Sequence, residues 1–238
     1  KNGCLIRYTG KSKRVDIPNS VTHICNAAFY ECSSVIEINL PESVKSIGQF
    51  AFSFCTSLAK INLPEGITSI GIGTFFHCSS LESVKIPDSF TGILGTWTFS
   101  NCTSITEIKL PEYLEDIGGQ AFGDCTSLTK IKLPDGIKSI GEFAFRGCTN
   151  LQRVIIPESV WHIGRMAFLD CTSITEIKLP ENLQCIREYA FKGCRSLKEI
   201  KIPKALTRIG ESAFQYSIRL VPLEVPENIR VDRGNPFK

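Results

Sequence analysis

Eleven cysteines in 238 residues are the first chemistry this sequence offers. A thiol can serve as a nucleophile, a metal ligand, half of a disulfide, or a small apolar side chain, and each role needs its own surroundings. In "FRGCTNLQRVIIP", Phe145 to Pro157, Cys148 follows a phenylalanine by three residues and precedes a proline by nine. The same frame holds Cys32, Cys55, Cys78, Cys102, Cys125, Cys171 and Cys194. Cys4, Cys25 and Cys185 stand outside it. Cys185 lies five residues after its proline, and His162 lies five after the previous proline. A thiol beside an imidazole is what a cysteine nucleophile needs. The residues that continue this column are Ser139 and Arg208, so no group that would orient the imidazole is evident. Metal binding has less support. No C-x-x-C occurs, and none of the three histidines stands at zinc-ligand spacing from a framed cysteine. No glycine-rich phosphate loop or nucleophile elbow occurs. The sequence therefore reads as non-enzymatic and without a cofactor.

The frame itself says what must hold these residues. Prolines fall at 18, 41, 64, 87, 111, 134, 157, 180, 203 and 226, in steps of 23 with a single step of 24 after Pro87. Phenylalanine keeps the same period from Phe29 to Phe214. The extra residue lies near Ile93-Leu94 and predicts a small bulge in one unit. The consensus is P-E-x-L-x-x-I-G-x-x-A-F-x-x-C-T-S-L-x-x-I-x-L. One such unit has too little apolar surface to fold alone, and stacking the units buries a continuous core.

Leu128, Ile131 and Leu133 alternate as in a short strand with one face inward, and Pro134 ends it because proline has no N–H for a ladder. Stacking then gives a parallel sheet with about 4.8 Å between strands. The tract from Gly141 to Cys148 predicts a short α or 3-10 turn on the opposite face. The recurring I-G step is expected to turn the chain. Cys25 and Arg187 replace that glycine, so an absolute need for positive φ is not expected there. The fold class expected is thus an α/β repeat solenoid.

Eight framed cysteines become one column. Neighbouring side chains in a stacked column point the same way, which disfavours disulfides. Ser217 takes the last rung. The column reads as buried free thiols. Asn101-Cys102-Thr103 fits a glycosylation sequon, but Cys102 belongs to that column. Phe50, Trp97, Phe143, Met166 and Tyr189 form a second stripe on the turn side. It covers the core edge or offers an apolar strip to a partner.

The outward strand positions give the candidate site. Two residues before the prolines from Pro87 to Pro203 stand Lys85, Lys109, Lys132, Ile155, Lys178 and Lys201, after Asp16, Asn39 and Asn62 and before Glu224 in the same row. Two residues earlier, Arg153 joins Glu107, Glu176 and Glu199. Period-two alternation puts both rows on one exposed face. This is either a solvated face or a ligand surface for a protein or acidic glycan. Ile155 beside Lys132 and Arg153 resembles an apolar centre with a charged rim. A net charge of +3 is too slight to point to nucleic acid. No apolar run approaches the ~20 residues of a membrane span. The N-terminal "KNGCLIRYTG" has neither Met nor a signal-peptide core.

The joined pattern L-x-x-I-x-L and P-x-x-L-x-x-I-G-x-x-A-F-x-x-C resembles the BspA-type leucine-rich repeat across about residues 18–217. The opening "NGCLIRYTGKSKRVDIP" resembles the lead-in of such arrays. The resemblance implies a curved array with a concave parallel sheet. It also implies a secreted or surface-attached protein, bacterial or from a microbial eukaryote, that adheres to host or matrix proteins. The expected division is a lead-in over 1–17, the array over 18–217 and a C-terminal cap or truncated continuation over 218–238. The array is expected to act as a monomer. A spacer with no ligand of its own is the alternative.

Overall fold

The computed structural model describes residues 3–220, 226–232 and 236. The chain winds into a parallel β-solenoid. Its first sheet has eight strands, running in order from Arg14–Asp16 through Glu37–Asn39, Lys60–Asn62, Ser83–Lys85, Glu107–Lys109, Lys130–Lys132 and Arg153–Ile155 to Glu176–Lys178. Each three-residue strand buries its middle side chain and turns the outer two outward, both exposed in Lys130–Lys132 and Glu37 alone half-buried. The proline that follows becomes the first residue of a tight turn, with Ile137 N–H donating to the Pro134 carbonyl at 3.1 Å.

The opposite side corrects the sequence reading. Among the described residues there is no α or 3-10 helix. The residues before and at the I-G isoleucine form a second set of parallel two-residue strands. Four pair from Cys4–Leu5 to Ser69–Ile70, and six from Asp116–Ile117 to Arg230–Val231. The two groups part at the 24-residue unit. There Ile93 is pushed into solvent, and Leu94 keeps only a single bridge to Ile117.

The tract after the glycine cannot be helical, because alternate N–H groups leave the coil. Phe143, Phe145 and Gly147 donate to the carbonyls of Arg165, Ala167 and Leu169 in the next coil, at 2.8–2.9 Å. Ala144, Arg146 and Cys148 donate three residues back, at 3.0–3.3 Å. Phe143 and Gly147 have φ of 57° and 69°, which interrupts any right-handed helical run. The result is a series of β-turns whose remaining donors join coil to coil.

Phenylalanines stack through the centre from Phe29 to Phe214, with ring centroids 5.2–5.6 Å apart. Tyr8 of the lead-in stacks on Phe29 at 5.0 Å. At most I-G steps, though not at Gly95, close approach favours glycine. A Cβ at Gly141 would lie 2.7–2.8 Å from the backbone at Ile117, Gly118 and Gly119 in the coil below. The glycines of that column, Gly48 to Gly210, have no positive φ, as expected from Cys25 and Arg187.

Candidate functional site

The thiol column is chemically quiet. Every cysteine is free, and seven of the eight in the column are buried. Each buried thiol donates to the carbonyl of the phenylalanine one coil down, as Cys148 does to Phe122 at 3.1 Å. Ser217 makes the same bond to Phe191 at 2.9 Å, which explains why serine can stand in the last rung. Burial pushes the Cys55 and Cys125 thiols up to about 12, so they stay protonated at neutral pH.

Cys185 and His162 are strand partners, as their spacing implied. They are not an activated pair. Arg187 Nε donates to His162 Nε2 at 3.1 Å, and burial together with Arg187 holds the imidazole below its ordinary range. Burial raises Cys185. The Arg187 hydrogen bond occupies the Nε2 lone pair with which a neutral imidazole would take the thiol proton. Among the described residues no group of three His, Cys, Asp or Glu side chains is placed to hold a metal ion. Asn101 of the sequon is half-buried, and its side chain donates to Ser100.

The turn-side stripe covers the core edge more than it faces water. Phe50, Phe143, Met166 and Tyr189 are half-buried, while Trp97 is exposed. Trp97 Nε1 donates to Gln120, Arg165 lies over both Phe143 and Tyr189, and Lys192 lies over Tyr189 and Tyr216.

The eight-stranded face carries the candidate site. Lys85, Lys109, Lys132, Ile155 and Lys178 are consecutive register partners, and Arg153 stands beside Ile155 on the same strand. Lys201 lies beyond the last strand, one coil on from Lys178. Pro222 and Glu224, which would continue the rows, lie outside the described residues. Troughs of about 470 and 370 Å³ lie along this face. The second is lined by the outward side chains of Lys109, Lys132, Arg153 and Ile155, with the strands of Ile108 and Ile131 between them.

The lysine row is not a bare basic stripe. Four of its five lysines reach back to the acid that follows the proline of the preceding coil. Lys85 meets Glu65 at 2.7 Å, Lys109 meets Asp88 at 2.8 Å, Lys132 meets Glu112 at 3.6 Å, and Lys201 meets Glu181 at 3.3 Å. Glu107 and Glu176 pair instead within their own row, with Lys130 and Arg153. The sequence held the signal for this. An acid recurs after the prolines from Glu42 to Glu181, 20 or 21 residues before the lysines it meets.

This row of pairs breaks at Ile155. Asp135 stands where a lysine at 155 would meet it, but the side chain there is isoleucine, 63% exposed. The next lysine, Lys178, has no ion pair or side-chain hydrogen bond either. Its counterpart Glu158 accepts the backbone N–H of Glu181 at 2.8 Å. The break thus combines an exposed apolar side chain, an unpaired carboxylate and an unpaired ammonium on neighbouring coils.

A profile for the BspA-type leucine-rich repeat region matches residues 6–125 and 92–221. The chain belongs to the BspA-type leucine-rich repeat family. Solved structures of similar architecture include a leucine-rich repeat protein from Bacteroides ovatus, 27% identical with a TM-score of 0.63, covering 92% of this chain and 74% of that one. A leucine-rich cell surface protein from Faecalibacterium prausnitzii is 26% identical with a TM-score of 0.54, covering 95% and 85%. A leucine-rich repeat protein from Eubacterium ventriosum, 18% identical with a TM-score of 0.50, covers 98% and 92% and shares the fold. None of the curated proteins compared matches the chain. This BspA-type solenoid has the architecture of a protein-interaction module. Among its described residues no helix is long and apolar enough to cross a membrane.

Proposed function

We propose that this chain is a non-enzymatic binding module of a surface or secreted protein, and that it grips a partner protein on its eight-stranded face around Ile155. The observation that carries this reading is the exposed Ile155 at the break in an otherwise ion-paired row. A single exposed isoleucine is ordinary on any surface. This one lines a trough together with Lys109, Lys132 and Arg153, charged side chains on rigid neighbouring strands. That arrangement suits an interface with a dry centre and a polar rim, and little ordering entropy is lost on binding. An acidic glycan fits less well, because it would have to displace the carboxylates already on Lys85, Lys109, Lys132 and Lys201. Surface placement and adhesion to host or matrix proteins rest on the family, and on the Faecalibacterium relative being a cell surface protein.

The test is a titration against a panel of extracellular matrix proteins and heparin at two salt concentrations. Wild type is compared with Ile155→Lys and with the double variant Lys132→Glu, Lys178→Glu. Lysine at 155 would complete the ion-pair row with Asp135 and remove the apolar centre. Affinity for a protein partner is expected to fall about tenfold or more at unchanged melting temperature, because exposed charges contribute little to stability. Equal affinity in all three proteins would remove this face as the site and leave the spacer reading.

A further inference from the structure

The break at Ile155 carries more than an apolar contact, because the charges on its two sides are of opposite sign and both are unpaired. Going along the face, Asp135 sits on the coil of Lys132, Ile155 is the register partner of Lys132, and Lys178 is the register partner of Ile155. Neighbouring coils are about 4.8 Å apart, so the three groups fit within the reach of one short segment. We infer that the partner presents an extended peptide segment in which an apolar residue is flanked by a cation on one side and a carboxylate on the other. The apolar side chain would rest on Ile155, the cation would meet Asp135, and the carboxylate would meet Lys178.

Incoming charges compete with the ion pairs already on the face. Elsewhere along the row, an incoming charge gains an ion pair only by displacing one already formed, such as Lys109 with Asp88 at 2.8 Å. At Asp135 and Lys178 it displaces none. Lys60, Glu42 and Glu199 also lack ion pairs, but they lie toward the two ends of the face, and Glu158 beside the break already accepts the backbone N–H of Glu181. Charge complementarity of this kind selects among partners and sets register more than it adds raw affinity. The inference rests on the reading of Ile155 as the centre of the binding face.

The test uses a random peptide library displayed on phage, selected on wild type and counter-selected on Ile155→Lys. Enriched peptides are expected to carry an apolar residue between a cation and a carboxylate. Selection on Asp135→Lys is expected to enrich acids on both flanks, and selection on Lys178→Glu bases on both flanks. Wild-type peptides are expected to bind either variant about tenfold more weakly. Peptides that need Ile155 but ignore both charge changes would overturn the charge pattern and leave the Ile155 face standing. Peptides that bind Ile155→Lys as well as wild type, or no enrichment at all, would count against both.

Discussion

At the scale of single residues, one glycine and one cysteine show how the coils constrain their side chains. Gly141 is fixed by distance to the backbone below and not by φ. Gly141→Ala is therefore expected to lose roughly 1–3 kcal/mol, as overpacked sites do, in denaturant melts. A loss below about 0.5 kcal/mol would mean that the coils are looser than drawn. The cysteine column was legible in the sequence as buried and unpaired. Its hydrogen bonds were not, because a spacing pattern shows which residues share a column and not which carbonyl lies beneath. Cys148→Ser is expected to keep the bond to Phe122, as Ser217 keeps its own to Phe191. It should be less destabilising than Cys148→Ala, which leaves the carbonyl without that donor and opens a small void. The reverse order of stabilities would show that the thiol serves only by its volume.

At the scale of elements, the strand ahead of each proline was readable from alternation. The second sheet was not. Its strands are two residues long, as at Ser139–Ile140, too short for any period to show. The tract after it was read as helical turns because its length suits them. What decides its form is that every other N–H bonds to the next coil, a non-local fact that local propensity does not record. Phe122 lies between Phe99 and Phe145 with centroids at 5.6 and 5.3 Å. Phe122→Ala should cost about 3–5 kcal/mol in the same melts. A loss below about 1 kcal/mol would mean that the column is not the core.

The thiol column also makes a pH prediction. Its buried thiols ionise well above the ordinary value of 9.0, near 12 for Cys55 and Cys125. A group whose folded pKa is raised leaves stability intact below its unfolded pKa and removes it as pH rises toward the folded one. Stability should hold up to about pH 9, then fall by about 1.4 kcal/mol per thiol per pH unit. Melting temperature measured from pH 7 to 11 checks this. A flat profile to pH 11 would contradict the burial of the column.

At the scale of the whole molecule, the repeat period made the array and its exposed rows legible from the sequence. The charge state of the face was not, since the lysines were read against their own strands. Their partners lie across a proline turn on the preceding coil, as Glu65 does for Lys85. Only the three-dimensional stacking turns a basic stripe into a row of ion pairs with a break. Binding is proposed to occur at that break. The most direct measurement is NMR of isoleucine methyl groups, with a bound matrix protein or selected peptide titrated in. Ile155 and Ile72 are both exposed, at 63% and 38%, and Ile72 lies on the turn side. The account predicts that the Ile155 methyl shifts with saturation while that of Ile72 stays in place. A shifting Ile72 beside an unmoved Ile155 would contradict it and move the site to the turn side.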